Sequence, residues 1–302
     1  MPFWPFRRKP RKIDAETVGD LTPRRRQFGR EYTAGIPYGL PSDVEEMSRL
    51  DFQHFVLRQA FRGNYAAPIQ SPSSILDVGC GTGRWGKEMA VLFPNANVVG
   101  LDINDPGPDE PSQGAGLSPR AENYAFVAGN ILEGLPFPDA SFDFVHQRLL
   151  FFAIPGDRWQ FVVSELARVT RPGGWVELVE GRYGYDPMGP VAERLSNVML
   201  PAVQRSGVDP RHSAHLDQFL RAAGLQRVEQ HTAKLPVGDW GGRLGKLVAL
   251  DVHTFFQAAK PLLLAQGLSE GQVAEVNEAM RLECEQLHTT WPFYIVDGQR
   301  PA

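Results

Sequence analysis

The chain alternates between two hydrophobic periods. Short apolar runs at residues 74–79, 97–103, 123–130, 142–147 and 175–180 have the length and β-branched content of strands. Between them lie stretches of helical period. One is residues 84–93, and another is 157–170, where Trp159, Val162, Val163, Leu166 and Val169 share a face. Ahead of the first strand, "LPSDVEEMSRLDFQHFVLRQAF" opens with Ser42 and Glu45 at capping-box spacing. It repeats Val44, Met47, Leu50, Leu57 and Phe61 at helical intervals, then breaks at Pro68 and Pro72. Strand–helix alternation at this spacing predicts an α/β fold with a doubly wound, mostly parallel sheet and right-handed crossovers. The second half is less regular. Helices are expected at 190–206, 212–223, 242–265 and 270–287, with a strand at 225–236 and a closing strand at 292–298. Helices inserted between the last strands of such a sheet form a lid over its carboxyl edge, where ligands bind in open parallel sheets.

Charge divides the chain. Net charge is −4 over 302 residues, yet residues 1–30 carry nine Lys/Arg against three acids. The expected organisation is a basic, flexible tail (1–30), a helical cap segment (31–72) and one catalytic domain (73–302) with lid insertions at about 186–210 and 240–288. An exposed loop rich in Pro, Gly and acids is expected at 105–119. An acidic main body argues against nucleic acid as the principal partner. No apolar run reads as a membrane span, and two cysteines, Cys80 and Cys284, make neither a disulfide framework nor a zinc site, so the expected location is cytoplasmic. The pattern sets no oligomeric state.

Chemistry concentrates in "SSILDVGCGTGRWGKEMA" (73–90). Glycines at 79, 81 and 83 let a strand turn sharply into a helix and approach a ligand closely. Position 84 is Arg, so the third glycine of a dinucleotide fingerprint is missing. Asp77, two residues before the first glycine, would repel a pyrophosphate and attract an ammonium. The acid therefore favours a cationic, phosphate-free nucleoside such as S-adenosylmethionine over NAD.

"ILDVGCGTGRW", "VVGLDI", "GNILEGLPFPDASFDFV" and "LARVTRPGGWVELVE" stand in the order and spacing that resemble class I S-adenosylmethionine-dependent methyltransferases. Outside that core, "YGLPSDVEEMSRLDFQHFVLRQAFRG", "FDFVHQRLLF", "LPVGDW" and "YIVDGQRPA" are similar to the methyltransferases akin to the fungal velvet-complex regulator of secondary metabolism. The resemblance implies a Rossmann-like seven-stranded sheet with helical N-terminal and C-terminal lid insertions. It also implies methyl transfer, with S-adenosylhomocysteine as product. It assigns the methionine moiety to Asp77 and the backbone of Gly79, Cys80 and Gly81, and the ribose to Asp102. Ile103, Asn130 and Ile131 take the adenine, and His146 lines the transfer site.

The residues themselves add candidates. A sulfonium attracts aromatic faces, which Tyr32 or Tyr38 can supply. Arg49 and Gln53, one turn apart, can reach the cofactor carboxylate or the substrate. Where the acceptor needs a base, His146 is the first candidate, with Glu180, His212 and Tyr183 behind it. Arg148 can orient an anionic acceptor. Phe151, Phe152, Trp159, Trp240, Phe255, Phe256 and Trp291 suffice to line an apolar pocket. No Asn-Pro-Pro-Tyr run or paired-glutamate loop appears, and Asp139 and Asp143 present no metal set. The expectation is methylation of a small organic acceptor, a natural product or its intermediate. The rival reading is a regulatory or scaffold protein that keeps the cofactor fold and acts by partner binding.

Overall fold

The computed structural model describes residues 23–107 and 121–302. The basic head up to residue 22 and most of the acidic loop, from residue 108, lie outside the described residues. Seven strands form one sheet. They are β3 (Ser74–Val78), β4 (Asn97–Asp102), β5 (Tyr124–Ala128), β6 (Phe142–Arg148), β7 (Thr170–Gly181), β8 (Gln226–Pro236) and β9 (Thr290–Gln299). Their order is β5-β4-β3-β6-β7-β9-β8. All neighbours are parallel except at β9, which runs antiparallel to β7 and to β8. The doubly wound, mostly parallel expectation holds. The chain reverses direction across the sheet between β3 and β6, and the ligand crevice of such sheets opens there.

Helices cover both faces. On one, α3 (Trp159–Val169) and α5 (Leu216–Ala222) bury Trp159, Val162, Leu166, Leu216 and Leu220 against Leu76, Val145 and Leu178 of the sheet. On the other, α2 (Arg84–Leu92) sets Trp85 and Met89 against Ile75 and Phe144. The remaining helices, α1 (Val44–Phe61), α4 (Pro190–Gln204), α6 (Gly242–Ala265) and α7 (Glu270–Gln286), pack together in a second layer. At 24 residues α6 is long and apolar enough to cross a bilayer, which the sequence pattern did not suggest. Its apolar face packs instead against α1, α7 and β8.

Two local expectations are corrected. The cap of α1 is Asp43, not Ser42. Asp43 Oδ1 accepts from the Glu46 N–H at 3.1 Å, and the same carboxylate receives a two-bond fork from Arg30 at 2.6 and 2.7 Å. A carboxylate held by both partners outcompetes a hydroxyl. Residues 24–33, read as tail and cap, form an antiparallel hairpin, β1 (Arg24–Gln27) and β2 (Arg30–Thr33). Arginine-rich strands carry no alternating apolar signal, so periodicity missed them.

The sheet buries a polar row. Asp77, His146, Glu177 and Asp297 are successive cross-strand neighbours, and all are buried. Glu177 Oε2 accepts from the Ala66 and Ala67 N–H groups at 2.7 and 2.6 Å. On the opposite face, Glu180 accepts from the Leu150 and Phe151 N–H groups at 2.9 and 3.3 Å and so holds the chain after β6. Glu180 therefore braces a loop rather than serving as the base expected of it. Burial pushes Glu177 up to about 7 and Glu180 up to about 8 from an ordinary 4.5.

A folded-state pKa above the unfolded value means the native protein holds a proton that the unfolded chain releases. Stability contributed this way is full at low pH and is lost as pH rises through the raised value. The denaturant midpoint should therefore fall between about pH 5 and about pH 8.5. Glu180→Gln should flatten that fall, and an unchanged slope in the variant would remove Glu180 from this account.

Candidate active site

A cavity of about 680 Å³ lies over the carboxyl ends of β3, β4 and β6, walled by α1, α4 and α6. Its floor is the loop after β3. Gly79 and Gly83 adopt left-handed φ of 69° and 72°. A Cβ on Gly79 would come within 2.6 Å of the Leu150 side chain. At Gly83 a Cβ would collide with the Tyr124 hydroxyl, so the third glycine serves packing of the loop rather than ligand contact.

The loop directs its donors inward. The Gly79 and Cys80 N–H groups both donate to Leu101 O, at 2.8 and 3.0 Å. Gly81 N–H donates to Asp102 Oδ2 at 2.9 Å, and Gly83 N–H to Cys80 O at 2.9 Å. A phosphate cradle needs those N–H groups aimed at the ligand. Here they are engaged with the end of β4. The backbone contribution to a ligand that the sequence assigned to Gly79, Cys80 and Gly81 is thereby narrowed to carbonyl oxygens, which suit a donor such as an ammonium.

Two acids line this half of the cavity. Asp77 Oδ1 lies 2.9 Å from His146 Nδ1. Asp102 ends β4 with Oδ2 on Gly81 N–H and Oδ1 on Asn104 N–H, each at 2.9 Å. A carboxylate offers about four lone-pair sites, so Asp102 keeps acceptor capacity for a ligand hydroxyl beside these backbone donors. Burial pushes Asp102 upward, against the backbone donors of Asn104, Gly81 and Ile103 that pull it down.

His146 lies within β6 rather than after it, because the strand runs to Arg148. Its ring stacks on Trp85 with centroids 3.9 Å apart and planes 5° from parallel. A carboxylate only accepts, so Nδ1 carries the proton given to Asp77 and Nε2 is the bare nitrogen. Nε2 is buried without a hydrogen-bond partner. Burial lowers the His146 pKa, opposed by the hydrogen bond and charge of Asp77. Two residues on, Arg148 Nη2 lies 2.9 Å from His54 Nδ1, and His54 Nε2 lies 3.2 Å from Glu88 Oε2. Leu149 then takes a left-handed φ of 59°, which swings the chain out of the strand at the cavity wall.

Residues 75–174 match the model of a family described as "Methyltransferase domain". The chain is 32% identical over 209 residues to methyltransferase str2 of Strobilurus tenacellus, covering 67% of this chain and 71% of that protein. The chain belongs to the methyltransferase family. It is also similar to the secondary metabolism regulator laeA of Coprinopsis cinerea, at 28% identity over 304 residues, covering 86% of this chain and 73% of that protein. Among solved structures, a chain from the complex of the Haloferax volcanii Trm112 methyltransferase activator with a methyltransferase superposes with a TM-score of 0.51. That match is 19% identical and covers 86% of this chain and 96% of the other, which shows the shared fold. The activity is S-adenosylmethionine-dependent methyl transfer.

The methyltransferase brings most of the expected residues to one cavity, namely Asp77, Gly79, Cys80, Gly81, Asp102, Ile103, Asn130, Ile131, His146, Tyr38, Arg49, Gln53, Arg148 and Tyr183. Four candidates fall elsewhere. Tyr32 is buried in the hairpin, with Arg25 over its ring at 5.5 Å. Trp240 lies in the turn just before α6, its indole N–H donating to Val237 O and its ring stacked on His288. His212 packs on Phe219, and its Nδ1 sits 3.0 Å from Asp209 O. Glu180 braces the loop described above. Trp159, counted among the pocket aromatics, is fully buried core instead.

Asn130 is half committed. Its Oδ1 caps a short turn through Leu132 N–H at 3.0 Å, and its amide donates to Glu133 at 3.1 Å. Tyr183 donates its hydroxyl to Ser196 O at 3.0 Å, and this bond ties the strand end to α4. The sequence reading missed Tyr185, Met188, Leu195 and Met199 on the acceptor side, and His54 beneath Arg148. Only topology brings these to the cavity. The Asp77–His146 pair had a latent signal, since neighbouring strands place the two in register.

The tautomer is measurable. Histidine ¹⁵N spectra should show His146 neutral, with Nδ1 protonated, at pH 7. A cationic ring at pH 7, or the Nε2–H tautomer, would contradict the assignment.

Proposed function

We propose that this methyltransferase methylates a small, largely apolar organic acceptor of secondary metabolism, held beneath the lid formed by α1, α4 and α6. The observation that carries the reading is the glycine loop. Its N–H groups are turned toward β4, and two carboxylates face the cavity in their place. That electrostatic arrangement suits S-adenosylmethionine, which supplies an activated methyl group when bound. Asp77 would take the ammonium and Asp102 both ribose hydroxyls. Ile103 and Ile131 would flank the adenine, and Arg49 would take the carboxylate. Arg49 binds Glu46 through Nε and Nη2, while its buried Nη1 has no partner, which fits a further anion.

The acceptor half is aromatic. Phe151, Phe152, Tyr185, Phe255, Phe256 and Trp291 line it, with Phe152 and Phe255 stacked at 5.7 Å. Walls of this kind orient a flat apolar molecule and exclude water, which is what an in-line displacement on an activated carbon needs from a protein. The laeA-named relative keeps the partner-binding alternative in view. A cavity that continues from the cofactor half into an aromatic chamber favours turnover.

Asp102→Ala should weaken S-adenosylhomocysteine binding by about 1–3 kcal/mol, through loss of two hydroxyl partners. Calorimetric titration reads this directly. Affinity equal to that of the unaltered protein would refute the ribose assignment.

A further inference from the structure

We propose that Arg148 is the anion-recognising residue of the acceptor site, and that the methyltransferase selects acceptors carrying an anionic oxygen, a carboxylate or a deprotonated acidic hydroxyl. This rests on the cofactor reading above and names the acceptor class for the same cavity.

Arg148 stands at the carboxyl end of β6, opposite Val179, and lines the cavity. Among the described residues its hydrogen-bond partner is His54 Nδ1, a neutral acceptor, and no carboxylate lies within ion-pair distance. A guanidinium in a protein interior is ordinarily paired with a carboxylate. The acids that attract it, Asp77, Glu88, Glu177 and Glu180, act from further off and are committed elsewhere. Asp77 is bonded to His146, Glu88 to Asn64 and near His54, and Glu177 and Glu180 to backbone N–H groups. His54 fixes one nitrogen of Arg148 and leaves Nε and Nη1 for a second partner. Burial lowers the Arg148 pKa against the pull of these four acids.

Charge balance separates this anion from the cofactor's own. Arg49 already offers Nη1 to the cofactor carboxylate, and Asp77 faces the ammonium. A sulfonium and Arg148 then stand as two positive charges beside the aromatic chamber, with Arg182 at its wall, and an anionic acceptor offsets one of them. The proposal also removes the need for a strong base. The acceptor enters as its anion, with its proton already released to solvent. Its oxygen lone pair forms the new C–O bond as the C–S bond breaks, and that bonding pair stays on sulfur as a neutral thioether.

The test uses 2-naphthoate and 2-naphthamide, a matched anionic and neutral pair sized for the aromatic walls. Binding is titrated to the full chain with and without S-adenosylhomocysteine. Naphthoate should bind at least about tenfold more tightly than the amide. Arg148→Gln should bring the two within about twofold while leaving S-adenosylhomocysteine affinity within about twofold, and Arg148→Lys should keep part of the preference. Absence of any preference in the unaltered protein overturns the proposal. So does a preference that survives Arg148→Gln, which would point to Arg182 at the cavity wall. Loss of S-adenosylhomocysteine binding in Arg148→Gln, with the preference intact, would place Arg148 on the cofactor instead. If Arg148→Gln fails to fold, the unaltered protein and Arg148→Lys decide. Failure of the unaltered protein to bind S-adenosylhomocysteine would count against the cofactor reading, and the unloaded titration still decides Arg148.

Discussion

The end of β4 governs the site. Leu101 O receives two loop N–H groups, and the Asp102 carboxylate receives a third from Gly81. These bonds fix the conformation of the glycine turn and decide its polarity together. With its donors turned inward, the loop presents oxygens and neighbouring carboxylates to the cavity. A phosphate would meet repulsion there, and a cationic amino acid would meet acceptors. Everything about ligand class descends from that orientation.

The same sheet carries interior charge. Asp77, His146, Glu177 and Asp297 cross four strands in one buried row, and Glu180 lies on the reverse face. All but Asp297 have a local remedy. Asp77 and His146 bond to each other, and Glu177 and Glu180 receive pairs of backbone donors. Unpaired burial would cost several kcal/mol per charge. The upward displacement of the glutamates, to about 7 and about 8, shows that the remedies are partial.

The cofactor half was legible because its geometry is local. A strand, three glycines and an acid two residues upstream sit within one short stretch, and Asp102 falls at the end of a plain apolar run. Periodicity located all seven strands of the sheet, six of which carry buried positions, while β5 is half-buried at its covered ones. The hairpin of residues 24–33 escaped for the opposite reason, as β1 is exposed at every position. Side-chain direction was the harder quantity. Glu180 and His212 are near strand ends or turns in sequence, yet one points into the opposite layer and the other packs on Phe219. Trp240 precedes the lid helix but its indole N–H donates to Val237 O. The acceptor half draws on α1, the end of β7, α4 and α6, which meet through tertiary packing alone.

For the proposed cofactor site we read His146 as a positioning residue, a role distinct from the base its place in the chain suggested. Nδ1 is bonded to Asp77, and the ring lies flat on Trp85. Nε2 is enclosed, so a proton taken there has no partner to receive it next. What the imidazole does do is hold one oxygen of Asp77, fixing the direction in which the other faces. A rigid carboxylate orients an ammonium, and through it the whole methyl donor, at no reorganisation cost when the acceptor arrives. Methyl transfer depends chiefly on collinearity of nucleophile, carbon and sulfur, so a pair that sets direction contributes more here than one that moves protons.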